Sequence, residues 1–150
     1  MIQKLSHFVR DKRGSAAIET AFVLPILATM VLGGVEASAI VSRQAELQTA
    51  AAEAAAVTLA RAPDEADERA TLEAIIEQST GLATDKVKLE LKYRCDTDTA
   101  MIDAPTGCGT GAVVSEYIII TMQDSYTPSW TDFGIGRPIS FNVSRRVQIS

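Results

Sequence analysis

The amino-acid sequence predicts an α+β protein: a long N-terminal transmembrane helix continuing into a small domain, with a second helix and a roughly three-stranded antiparallel sheet. Three observations carry this expectation. Residues 15–42 are almost uncharged, residues 43–61 are dominated by alanine, and the last 65 residues hold segments in which apolar and polar side chains alternate. A helix period followed by a strand period in one chain segregates helices from strands, as in an antiparallel α+β domain. The 150 residues are about one domain's worth. With 47% hydrophobic and 22% charged residues, neither wholesale disorder nor a polytopic membrane protein fits.

The formal net charge of −5 argues against nucleic acid as a partner, and it conceals an asymmetry. Residues 1–14 hold Lys4, Arg10, Lys12 and Arg13 against Asp11, a net +3, which leaves ten basic and eighteen acidic residues, −8, for the remainder. No lysine or arginine occurs between Arg13 and Arg43, and Ser15–Ser42 contains only Glu19 and Glu36 as charges. At ~1.5 Å per residue this segment makes a helix of roughly 42 Å, enough to cross a ~30 Å hydrocarbon core with some tilt. The uncharged run from Thr20 to Val35 is only 16 residues, so one glutamate sits near or inside the hydrocarbon edge. Pro25, Gly33 and Gly34 are poor in a soluble helix and tolerated in a membrane one. Positive charge before the span and none close after it places the N-terminus in the cytoplasm and exports the bulk of the chain.

Three readings compete for this segment. A secretory signal peptide would be cut at Ala37-Ser38-Ala39, against which stand a long basic region, a glutamate in the apolar stretch and helix-favouring sequence through the cut. A plain single-pass anchor is the second. The third turns on Glu19, because a carboxylate at the bilayer centre costs about 2.5–3.5 kcal/mol and needs a partner. Cleavage after Gly14 would create an α-amino group at Ser15 and remove the +3 leader, and Glu19 is then four residues, one helical turn, from that amine. The same glutamate could instead face the amine of an adjacent subunit, or merely snorkel to the interface.

The run KRGSAAIETAFVLP, residues 12–25, resembles a type IV prepilin processing site and is most similar to the TadE-like pseudopilins of the tight-adherence (Tad, Flp) system. The resemblance is strong over about 10–45, with a weaker one over 112–146. It matches Gly14 to the glycine before the cut, Ser15 to the first mature residue and Glu19 to the glutamate at the fifth mature position. Ala21, Phe22, Val23, Leu24 and Pro25 continue the pattern, and Glu36 follows the Gly33-Gly34 pair. Ser15 stands where many type IV pilins begin with phenylalanine, and a small first residue suits the Tad branch. The resemblance implies a basic leader over 1–14, a membrane helix over 15–42, a helical extension over 43–62 and an exported α+β domain over 63–150. It also implies a single-pass inner-membrane protein with a periplasmic domain, retained there or incorporated into the pilus. Its partners would be a prepilin peptidase, other pilins or pseudopilins, the Tad inner-membrane assembly platform and the lipid bilayer. Pilus assembly, adherence and biofilm attachment are the implied roles, and a sizeable exported domain suits a minor pilin. The alternative is an anchored or secreted binding module using loops around Trp130 or Cys95–Cys108.

In the helical extension, Val41, Leu47, Ala51, Ala54, Ala55, Val57 and Leu59 supply an apolar face, and Ala62-Pro63 ends the helix. Asp64, Glu65, Asp67 and Glu68 resemble a metal cluster, but acidic residues beginning a helix after Pro63 are better read as complements to its dipole. That helix runs to about Ser79, with Ala66, Ala70, Leu72, Ile75 and Ile76 apolar and Gly81 at its C-terminal cap. Lys86–Arg94 alternates without a fault, Val87, Leu89, Leu91 and Tyr93 facing one way. Ala112–Met122 is a more fully apolar strand. Ile139–Ile149 alternates again, with Ile139, Phe141, Val143, Val147 and Ile149 inward and Arg145 interrupting the set. The loop Ser125–Pro138 is rich in proline and glycine, with Trp130 and Phe133 as anchors.

Cys95 and Cys108 both fall on the predicted exported side, where a disulfide is the natural reading over two free thiols. A zinc site would need two further ligands, and the sole histidine, His7, lies across the membrane. Asp96, Asp98 and Asp103 do not have EF-hand spacing. No Walker, dinucleotide or G-x-S-x-G pattern occurs, so no catalytic residue, metal site or cofactor is assigned and an enzyme is not expected.

Overall fold

The structure, a computed structural model, describes residues 13–150. It is α+β: helix α1 (Arg13–Ala60), helix α2 (Ala66–Thr80) and strands β1 (Val87–Cys95), β2 (Val114–Tyr126) and β3 (Ile139–Gln148). The three strands form one antiparallel sheet in the order β1-β2-β3. Helix α1 is shared between two units of the chain, which divide between Ala39 and Ile40.

In the first unit every described residue is helical, and the large apolar side chains are open on all sides. Ile18, Phe22, Leu24, Ile26, Met30, Leu32 and Val35 are all more than half exposed. This is a helix long and apolar enough to cross a membrane. Pro25 lies inside it and has no N–H to donate, so the ladder is interrupted there. Thr29 donates its hydroxyl to the Ile26 carbonyl at 2.8 Å, one turn beyond.

In the second unit, α1 contributes Leu47, Ala51, Ala54 and Thr58 to the interior, a stripe at positions i, i+4, i+7 and i+11. Leu47 and Ala51 are fully buried, and the Thr58 hydroxyl is satisfied by the Ala54 carbonyl at 2.9 Å. The predicted face is therefore corrected: Val41, Val57 and Leu59 are exposed. Alanine at the facing positions lets the helix approach closely, so the larger side chains come from the sheet. Val87, Leu89, Ile118, Ile120, Met122, Phe141, Val143 and Val147 are buried with them. Arg43 donates from Nε to Asp124 Oδ2 at 2.6 Å and from a terminal nitrogen to the Thr80 carbonyl at 3.1 Å. It thereby ties α1 to the end of β2 and the end of α2.

Helix α2 starts at Ala66, three residues beyond the predicted Pro63, which is buried. Arg69 holds the entry by donating to the Pro63 and Asp64 carbonyls, leaving only Asp67 and Glu68 in the first turn. Of the apolar residues of this helix, Ile76 is buried and Leu72 half-buried, whereas Ala66, Ala70 and Ile75 are exposed. Gly81 ends the helix at φ 66° and turns Leu82 into the core.

In β1 burial alternates as predicted from Val87 to Glu90, with Val87 and Leu89 buried; from Leu91 to Cys95 every residue is half-buried, Lys92 and Arg94 included. The outer edge of this strand is covered: Glu73 accepts from the Leu89 N–H, and Ile102 pairs with Tyr93 through both backbone bonds at 2.8 Å. Strand β2 runs four residues past the predicted Met122, because Asp124 and Tyr126 pair with Phe141 and Ile139. On the sheet face away from the core, Arg94 stands 5.0 Å from the Tyr117 ring centroid, and the Tyr117 hydroxyl donates to Gln148 at 3.0 Å. Arg145 is exposed on the edge strand β3, opposite Ile120.

Cys95 and Cys108 are joined in a disulfide across a sequence separation of 13. It closes an excursion in which the Asp96 carboxylate accepts from the Val113 N–H and Asp103 pairs with Lys92. The bond to Asp103 holds the Lys92 ammonium above its ordinary pKa. In the chain-entropy model a closed loop of this size stabilises by about 3 kcal/mol. Urea unfolding of the full chain in micelles should therefore show a loss of about that size for the Cys95→Ser/Cys108→Ser pair. An unchanged midpoint would mean that the hydrogen bonds alone hold the loop.

Candidate processing and assembly segment

The candidate site lies on the first unit. Gly14 and Ser15 are in the first turn of α1, with helical backbone; the predicted leader residues 1–12, His7 included, lie outside the described residues. The first four N–H groups of any α-helix have no partner within it and carry the positive end of its dipole. Glu19 follows one turn later and is exposed, beside Thr20, Val23, Leu24 and Leu27, which with it line a shallow apolar depression. No basic residue occurs between Gly14 and Ser42, so a cation for Glu19 has to come from a chain terminus, another molecule or the interface. Glu36 is 17 residues further on, about 100° around an ideal helix from Glu19. The two carboxylates therefore do not share a face.

A second feature of this helix escapes a reading that attends only to charge. Ala17, Ala21, Pro25, Thr29, Gly33 and Ala37 recur at every fourth position, a continuous ridge of small residues. Five of the six are exposed and Gly33 is half-exposed; a Cβ built on Gly33 or Gly34 would meet nothing within 4 Å. In a bilayer such ridges let helix backbones approach, because lipid offers no hydrophobic drive for association and close packing supplies it instead. The signal is plain in the sequence once positions are read four apart.

Other predicted site residues lie on the second unit and have structural partners. Cys95 and Cys108 are bonded to each other, and Asp96 and Asp103 hold the loop between them. Trp130 is half-buried and supports its loop, as predicted; Phe133 is corrected from anchor to exposed, at 82%. The glycines at 134 and 136, with φ of 75° and 78°, turn that segment away from the sheet.

Residues 14–56 match the TadE-like protein family, beginning at the glycine that precedes the candidate cut. The match does not extend to 112–146, where the sequence suggested a weaker likeness. No curated protein and no solved structure matches the chain.

Proposed function

We propose, from the TadE-like match over residues 14–56, that this chain is a pilin-like structural and assembly subunit of a Tad (Flp) pilus, matured by a prepilin peptidase cutting between Gly14 and Ser15. The observation that carries the reading is the first unit itself. Its helix exposes large apolar side chains, bears a small-residue ridge, and holds Glu19, the first charge after Gly14, at the fifth position after that glycine. Such a surface is stable only in lipid or against other helices. The basic leader keeps the N-terminus in the cytoplasm during insertion, and the second unit is then periplasmic.

Processing has a conformational requirement. Gly14 and Ser15 are helical, whereas a peptidase needs extended backbone in its cleft, so the first turn has to unwind. Glycine there favours unwinding by about 1 kcal/mol relative to alanine, and a helix terminus frays most readily. After the cut the Ser15 amine lies one turn from Glu19, on the same chain or presented by its neighbour. Pairing with it offsets the cost of a carboxylate in hydrocarbon and defines one register between adjacent subunits. Other pilins and the inner-membrane assembly platform are the partners this role requires. The chain acts as structure, in pilus biogenesis and surface adherence, and no residue is assigned to catalysis.

The test is the N-terminus and intact mass of the protein purified from membranes of its own host, with and without the prepilin peptidase. A start at Ser15 that disappears without the enzyme is the expected result. A start at Met1 would leave a plain anchor. A start at Ile40 would make the chain a secreted binding module and would overturn the role of Glu19.

A further inference from the structure

The second unit carries an exposed apolar loop whose position in the fold is informative. The β2–β3 connection forms a short 3₁₀ turn at Ser129–Phe133 and then passes through Gly134, Ile135, Gly136 and Arg137. Phe133 is 82% exposed and Ile135 64%. Single exposed apolar residues need no explanation, but two at one loop tip, in a loop that is internally braced, do. Pro128 at its base is fully buried. Its carbonyl accepts from the Thr131 N–H at 3.0 Å and the Thr131 hydroxyl at 2.8 Å, and Gly134 and Ile135 donate back to Thr131 and Trp130. Trp130 closes the inner side against Gly136, where a Cβ would stand 3.2 Å from the indole nitrogen. The tip is thus built outward rather than left loose, and little ordering cost remains when it meets a surface.

This loop lies at the end of the second unit where the chain enters it. Arg43, three residues after Ile40, bonds to Asp124 two residues before β2 ends, and Tyr126 and Ile139 flank the loop. The residues preceding Ile40 are those of the candidate membrane span. The disulfide-closed excursion starts instead from the opposite end of β1, where Cys95 pairs with Val114. Apolar tips, an indole at their base and a following arginine make the composition that settles at a bilayer interface, with aromatic and aliphatic groups at the headgroup boundary and the guanidinium on phosphate. We infer that Phe133 and Ile135 dip into the bilayer surface and give the second unit a lipid contact of its own, with Arg137 facing the headgroups. The inference rests on the reading that α1 spans the membrane, and is independent of the pilus role.

The chain has a single tryptophan, Trp130, placed in this loop. The experiment reconstitutes the full chain in phosphatidylethanolamine–phosphatidylglycerol vesicles, checks that it resists alkaline extraction, and reads Trp130 fluorescence with brominated phospholipids. Quenching stronger for bromine at acyl positions 6 and 7 than at 11 and 12 is expected, with poor access to iodide. Phe133→Ser/Ile135→Ser should lose at least half of the quenching and open Trp130 to iodide, while remaining resistant to extraction. Since both side chains are exposed, the variant leaves the core intact. Trp130 unquenched by lipid in extraction-resistant protein, or a variant quenched like the parent, would overturn the contact while leaving the span standing. Shielding from iodide without lipid quenching would assign the loop to a protein partner and overturn it likewise. Extraction of the parent protein at alkaline pH would sink the span, and the contact with it.

Discussion

Glu19→Ala is expected to leave the chain inserted in the membrane and to abolish its incorporation into pili. On the proposed reading the carboxylate is not needed for insertion; removing it from an apolar helix makes insertion easier, by less than the roughly 2.5–3.5 kcal/mol that a charge costs at the bilayer centre because Glu19 sits near the hydrocarbon edge. What is lost is the one group able to take up the Ser15 amine within the span. The uncompensated charge is then the amine, either on the same chain or at the neighbouring helix. Breaking one partner of a buried ion pair costs about 3–5 kcal/mol, far more than a ridge of small residues recovers when helices pack out of register. Two measurements on the mutant decide the matter: resistance to alkaline extraction, which should equal the parent's, and its abundance in sheared pili, which should fall below detection. Glu19→Gln separates charge from shape and should fail equally, because a neutral amide cannot neutralise the amine. Normal piliation by either variant would sink the register role.

The largest stability effect is expected at Ile120, on the central strand and fully buried. Ile120→Ala should destabilise the second unit by about 2–5 kcal/mol, the range for deleting a large core side chain. The upper half of that range is the physical expectation here. From α1 the core receives Ala51 and Ala54 together with Leu47, and alanine has no side chain that could swing into the cavity. The fall is large against the 5–15 kcal/mol that holds a typical domain together. Urea unfolding of the full chain in micelles, followed by Trp130 fluorescence, measures it. Val113→Ser is the control, within about 0.5 kcal/mol of the parent because its side chain is exposed and lies outside the core. A loss under about 1 kcal/mol at Ile120 would mean that the sheet face is not closed by the helix.

How legible these features were depends on the strength of the local signal. Strand β1 reads directly because its polar and apolar residues alternate in strict register, and only one assignment of faces buries Val87 and Leu89. Strand β3 reads in the same way despite Arg145, since an edge strand tolerates an exposed cation at one inward position. Glu19 stands out because a charge in an apolar run is costly, and Gly14 because of its place ahead of it. Helix α1 beyond Arg43 was the opposite case. Alanine occupies so many positions that no face is strongly preferred, and pattern alone admits Val57 and Leu59 to the buried set. The sheet, with its own bulky residues, selects instead the alanine-lined face through Leu47, Ala51, Ala54 and Thr58. Phe133 misled for a related reason. An aromatic in a glycine-rich loop suggests an anchor, but the anchor is Trp130, and the left-handed glycines on either side of Ile135 carry the tip outward.

The order of elements, the faces of two strands and the position of the lone carboxylate follow from amino-acid pattern alone, because periodicity and the cost of a charge in hydrocarbon are local properties of the chain. The rotation of the alanine-rich helix and the bond from Arg43 to Asp124 do not. Each is settled by atoms more than 80 residues apart or by the fit of a small helix face to a large sheet face, and local pattern holds no record of that fit.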